Sequence, residues 1–327
     1  MKTIGREQLL AWLEELAGRF TLIGPKLVGE KMLYRPVRHS AEIALDFKKT
    51  DLSAKEYFLP PTESILAIRR EKEGFLIEEP SLDQQQVIFG LRPCDARALR
   101  VLDALLIAKE PADPYYATRR ERTTLIGLAC REMGATCFCT SLGLAPDAPD
   151  DVDLMLSELD GTYAIQVITP KGKALLGALA LQETAGAPPK PTVHPDQVPI
   201  LPAEAWPDYF ERPFWARLSD RCLSCRLCAY VCPTCRCFDI RDAEISHKEI
   251  ERLRAWDSCM AEGYRRIAGG HNPRPTKMER LRNRFYCKFC YYPEDFGPVA
   301  CVGCGRCIAQ CPVNVDITEV LQGLAAL

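Results

Sequence analysis

The sequence predicts an α/β domain at the N-terminal end, followed by an α+β ferredoxin-like dicluster domain that carries a long insertion. Three observations predict it. As far as about Gln182, short β-rich apolar runs alternate with helical patterns. From Pro188 to Pro213 prolines recur with little periodicity, as in an extended linker lying on the surface. Beyond that stretch one cysteine spacing occurs twice. The expected boundaries are an α/β domain over 1–185, a proline-rich linker over 186–212 and the dicluster domain over 213–327. A length of 327 residues agrees with about two domains.

In chain order, the opening MKTIGREQLLAWLEELAGRF sets Leu9, Leu10, Leu13, Leu16 and Phe20 on one stripe. Acids and bases run through it, so it reads as an amphipathic helix and not as a signal peptide. Gln86–Leu91 is a compact apolar run suited to a buried strand. Ala96–Ile107 follows as a helix with Leu99, Leu102 and Leu106 on one face and Asp95 as its N-cap. Thr124–Ala129 and Tyr163–Ile168 read as further strands, and Lys171–Leu181 as a helix. Inside the insertion Pro233–Ala300, helical character runs from Ala243 to Met260, and Ala268–Pro275 is a loop punctuated by Gly and Pro.

The composition, 47% hydrophobic with a net charge of −2, supports buried cores and offers no general attraction to nucleic acid or anionic membrane. No apolar run approaches the ~20 residues of a spanning helix. Seventeen cysteines without a secretory pattern point to a reducing compartment, the cytoplasm, and to a niche with little oxygen. There, clustered cysteine more often means metal or redox chemistry than disulfides.

The repeated spacing is C-x₂-C-x₂-C-x₃-C-P, found at Cys222, Cys225, Cys228, Cys232 and again at Cys301, Cys304, Cys307, Cys311. It is the bacterial ferredoxin spacing for a 4Fe–4S cluster. Three closely spaced thiolates on an irregular loop can each meet a different corner of one cube. In two-cluster ferredoxins the fourth cysteine ligates the other cluster. The expected sets are therefore Cys222, Cys225, Cys228 and Cys311 for one cluster, and Cys301, Cys304, Cys307 and Cys232 for the other. Cys235 and Cys237 compete with Cys232 as fourth ligand; Cys232, which directly precedes Pro233, fits the pattern better.

The other cysteines leave two questions open. Cys287 and Cys290 form a C-x₂-C pair that, with Cys235, Cys237 or Cys259, could complete a zinc site or a further cluster; the alternative is small buried apolar side chains. Cys94, Cys130, Cys137 and Cys139 could converge on a third site, because three of them lie at or after strand ends, where α/β folds gather ligands. Packed thiols are the competing reading.

The run from Arg274 to Lys288 holds six cations with Phe285 and Tyr286 interleaved. A solvated face, a partner contact, or cations offsetting cluster charge are the readings it supports; binding of nucleic acid is not expected. The chain has no Gly-x-Gly-x-x-Gly or Gly-Lys-[Ser/Thr] loop and only four histidines, so nothing in it argues for a nicotinamide, ATP or His-rich catalytic centre.

The strings Gly90-Leu-Arg-Pro-Cys94-Asp95, Tyr116 with Arg119-Arg120-Glu121, Cys137-Phe-Cys139, Cys232-Pro-Thr-Cys235-Arg-Cys237-Phe238, Trp256-Asp-Ser-Cys259, Gly269-Gly-His-Asn-Pro-Arg-Pro275 and Cys301-Val-Gly-Cys304-Gly-Arg-Cys307 are unusual. Through them most of the chain resembles the β subunits of sulfhydrogenases and the A subunit of anaerobic sulfite reductases. The resemblance implies a non-catalytic electron-relay subunit of a cytoplasmic complex. Its partners would be a flavoprotein subunit that exchanges hydride with NAD(P)H and a catalytic redox subunit, either a nickel–iron hydrogenase or a sirohaem sulfite reductase. Similar subunits also serve complexes linked to heterodisulfide reductase. Against it stand an oxidoreductase acting on a small substrate at its own site and a zinc-stabilised binding module.

Overall fold

Strands in the N-terminal half follow the apolar runs. The computed structural model describes residues 1–327 and places there β1 (Lys2–Gly5), β2 (Thr21–Val28), β3 (Lys31–Pro36), β4 (Thr62–Glu71), β5 (Gly74–Glu78), β6 (Gln86–Leu91), β7 (Thr123–Leu128), β8 (Leu154–Leu159), β9 (Thr162–Val167) and β10 (Gln182–Glu183). Eight of these form one sheet in the order β10-β1-β9-β8-β7-β6-β2-β3. Strands β2, β6, β7 and β8 are parallel, with Ile88 opposite Leu125 and Phe89 opposite Ile126. Central parallel strands are covered on both faces, which is why β6 is almost wholly apolar.

Each face has its own core. Val87, Phe89, Ile126 and Leu154 meet Leu9, Trp12, Leu13 and Leu16 of the helix Arg6–Arg19. Ile88 and Leu125 meet Ala96, Leu99 and Leu102 of the helix Pro93–Leu106. That second helix starts earlier than expected, with Pro93 in its first turn and Arg92 as N-cap. Asp95 is not the cap: its carboxylate is taken by Arg306 from the far end of the chain. The helix expected over Lys171–Leu181 runs only from Pro170 to Leu176, ended by Gly177 at φ +54°.

The helical expectation for Ala243–Met260 is wrong. As far as Trp256 those residues belong to a hairpin of β11 (Phe238–Ser246) and β12 (Glu249–Trp256). With β4 and β5 it forms a second sheet, β11-β12-β4-β5, in which β12 pairs antiparallel with β4. The insertion thus adds its strands to strands from the first eighty residues.

The C-terminal core is aromatic. Trp206 stacks on Phe289 at 5.4 Å between ring centres, and Trp215, Phe285, Tyr286, Val320 and Leu321 close around them. Trp206 is fully buried, so the proline-rich stretch does not simply lie on the surface as expected but is anchored at its end. Helix Lys277–Tyr286 crosses this core and continues as a π turn, Cys287–Tyr291.

The two halves are clamped by buried polar contacts. Arg306 grips both carboxylate oxygens of Asp95 at 2.7 Å and donates to Thr50 O at 2.8 Å. Lys55 donates to Cys235 O at 2.9 Å and sits over the Trp256 ring.

Candidate iron–sulfur centres

Each repeated loop turns on two residues with positive φ at matching positions: Ser224 (φ +55°) and Arg226 (φ +69°) in the first, Gly303 (φ +63°) and Gly305 (φ +67°) in the second. A short helix follows each, Leu227–Tyr230 and Arg306–Ala309. The difference between the loops comes from their surroundings. A Cβ on Gly303 would meet Cys139 N at 2.4 Å, and one on Gly305 would meet Thr136 O at 2.1 Å, so only glycine lets the second loop seat against residues 136–139. The first loop faces outward: Cys225 is exposed, and Leu223 is 64% exposed.

The fourth cysteine of each motif lies with the other motif's loop. Cys222, Cys225, Cys228 and Cys311 line one cavity. Cys301, Cys304, Cys307 and Cys232 line another. Cys235 and Cys237 line neither. No three His, Cys, Asp or Glu side chains close to single-ion distances.

The donors around the sulfurs fit an anionic cluster. Arg284 lines both cavities, is buried, and its Nε has no partner. Lys288 Nζ lies 3.2 Å from Cys232 Sγ and is also bonded to Thr234 Oγ1 and Ala300 O. Buried cations lacking a carboxylate partner are costly unless other negative charge compensates them. Burial opposes the charge on both, and nearby thiols more than restore it, Cys228 and Cys307 for Arg284 and Cys232 for Lys288. Backbone donors add to this: Ser224 N–H lies 3.4 Å from Cys222 Sγ, and Val315 N–H 3.2 Å from Cys311 Sγ. Burial pushes Cys301 up to about 12 and Cys307 up to about 11, whereas Cys235 and Lys288 beside Cys232 hold that thiol well below the usual range.

Arg280, Arg282, Arg284 and Lys288 are all buried, so this part of the segment is not a solvated face, and its innermost cations stand against the cysteines; Pro275 and Thr276, at its start, are exposed. Of the readings the sequence supports, cations offsetting cluster charge is the one their placement fits, and the i, i+4 spacing of Arg280, Arg284 and Lys288 is the local signal.

The remaining cysteines also gather. Cys94, Cys130, Cys137 and Cys139 line one cavity with Gly303 and Cys304. Cys237 and Cys259 lie close enough to shift one another's thiols, Cys237 down to about 6 and Cys259 up, and Cys235 and Cys287 add to the rise at Cys259. Cys287 is approached by Arg236 at 3.7 Å, whereas Cys290 donates to Glu294 at 3.2 Å. The π turn thus sends the two members of that C-x₂-C pair to different partners.

Residues 221–315 match the family model of the 4Fe–4S dicluster domain, which defines the class. Sulfhydrogenase 2 subunit beta of Pyrococcus furiosus is 31% identical over 317 residues, covering 89% of this chain and 91% of the relative. The chain belongs to the sulfhydrogenase β-subunit family, an iron–sulfur electron-transfer family, as its motifs had suggested. No solved structure matches it. No helix is long and apolar enough to cross a membrane.

Proposed function

We propose that this chain relays electrons between two other subunits through a pair of 4Fe–4S clusters with crossed ligation. Cys222, Cys225, Cys228 and Cys311 hold one; Cys301, Cys304, Cys307 and Cys232 hold the other. The observation that carries this is the exchange of the fourth cysteine between the two cavities, with Arg284 in the wall common to both. When bound, such clusters supply one-electron carriers whose potential depends on charge, hydrogen bonding and exposure.

The chain's own residues set those conditions. The first loop brings its cysteines to the surface at Cys225, flanked by exposed Leu223 and Leu227, where a partner can approach. The second set is enclosed, with Lys288 on Cys232 and the N-terminal half closing it off through Gly303 and Gly305. Membership of a β-subunit family supports a hetero-oligomeric complex. Its other members are a flavoprotein subunit linked to NAD(P)H and a catalytic subunit, a hydrogenase or sulfite reductase, in the cytoplasm.

Pairwise variants of the anaerobically loaded full chain test the crossing. Cys311→Ser combined with Cys222→Ser should lose about four irons, one cluster's worth, whereas Cys311→Ser combined with Cys304→Ser should lose about eight. The reverse order would assign Cys311 to its own loop and overturn crossed ligation.

A further inference from the structure

We propose that Cys94, Cys130, Cys137 and Cys139 hold a third iron–sulfur cluster, which extends the relay through the N-terminal domain. This deepens the relay reading and rests on it for the electron's source, but the site stands on its own geometry.

Three elements bring the four thiols together. Cys94 sits in the first turn of the helix after β6, Cys130 two residues beyond β7, and Cys137 and Cys139 on the loop that follows. All four face one cavity of about 250 Å³. Three cations stand in its wall, of which Lys48 is paired with Glu132 at 2.5 Å and the other two have no carboxylate partner. Arg92 is 5% exposed, has no carboxylate partner, and leaves its Nε without a hydrogen bond. Lys49 Nζ lies 3.9 Å from Cys137 Sγ and is anchored on Cys304 O at 2.6 Å. Four soft donors facing two unneutralised cations make a place for an anionic thiolate-ligated group. Packed thiols alone would leave the buried charge of Arg92 met only by the backbone carbonyls of Phe47, Leu128 and Ala129 and the face of the Phe47 ring, with no anion opposite it.

The position of the cavity gives it a purpose. Cys304 and Gly303 belong to its lining, and Cys304 also lines the second C-terminal cavity. Phe138 N–H donates to Gly303 O at 2.8 Å, which fixes the 136–139 loop on the ferredoxin loop. Three groups of cysteines therefore follow one another: the exposed one at Cys225, the enclosed one at Cys304, and this one. One electron given up by the cluster on Cys304 would be taken up here with no other group between them. Past the third group the chain opens again. A cleft of about 490 Å³ shares Lys48, Arg92, Cys130 and Glu132 with the cavity and reaches the ends of β7 and β8. The relay thus has a second end, on the N-terminal domain.

The test uses the full chain, loaded anaerobically with iron and sulfide. Cys130→Ser combined with Cys137→Ser should hold about four irons fewer than the unaltered chain. The paramagnetic signals lost from Cys225→Ser should remain in it. Iron content equal to that of the unaltered chain overturns the inference and leaves the relay reading intact. If Cys225→Ser and Cys304→Ser keep full iron while this variant loses it, the relay reading fails and the third site stands. Should the double variant not fold, iron anomalous scattering from crystals of the loaded unaltered chain answers the same question: a peak among the four sulfurs supports the site, and none overturns it.

Discussion

Replacing Lys288 by Met should lower the reduction potential of the cluster held by Cys232 by on the order of 100 mV. The ammonium lies 3.2 Å from Cys232 Sγ. One further metal–sulfur bond of about 2.3 Å puts it roughly 5–6 Å from the nearest iron. At an effective dielectric of about 20, a unit charge at that distance favours the added electron by roughly 3 kcal/mol. For a one-electron couple that is on the order of 100 mV, somewhat less once the electron spreads over the cube. Methionine matches the stem's bulk, and Thr234 Oγ1 still donates to Ala300 O at 2.8 Å, so the wall should survive. The assay is a redox titration followed by electron paramagnetic resonance, with Lys288→Arg as the variant that keeps the charge. The shift should be negative, confined mainly to one of the two C-terminal clusters, and largely absent in the arginine variant. A positive shift, or an equal shift in both clusters, would refute the reasoning.

Two further outcomes follow from the clamp between the halves. Asp95→Ala leaves Arg306 buried without its partner and should destabilise the chain by about 3–5 kcal/mol, read from urea midpoints; Asp95→Leu combined with Arg306→Met should recover most of that. Gly303→Ala forces a methyl onto Cys139 N, at 2.4 Å in the present geometry, and should speed exchange of the Phe138 amide that bonds Gly303 O. Ser224→Gly, at the matching position of the open loop, should instead stabilise by up to about 1 kcal/mol, because glycine relieves the left-handed conformation.

The elements that were legible in the sequence are those fixed by local pattern. Gln86–Leu91 appears with the expected ends because a central parallel strand must be apolar on both faces. The helix over Leu99, Leu102 and Leu106 declared its own face. The hairpin of β11 and β12 was not legible. Its residues are largely exposed, and its apolar positions, Ile240, Ala243, Ile250 and Leu253, do not alternate strictly; β12 is held by pairing with β4, nearly two hundred residues earlier. The site divides in the same way. Motif spacing is local and points to the proposed cysteine sets, while the compensation of Arg284 and Lys288 depends on which side chains the fold brings beside them. A run of cations supports a solvated face, a partner contact and the offsetting of cluster charge alike until the fold shows what it faces. Trp12, in the core of the first helix, was missed because the leucines alone completed a stripe.

The relay itself is tested most directly by Cys304→Ala in the assembled complex. Cys304 lines the enclosed C-terminal cavity and also the wall of the N-terminal one. Electron flow from NAD(P)H to the catalytic subunit should be abolished, while that subunit, given an artificial donor directly, should work at its full rate. Loss of both activities in an intact complex would contradict the account and place chemistry on this chain.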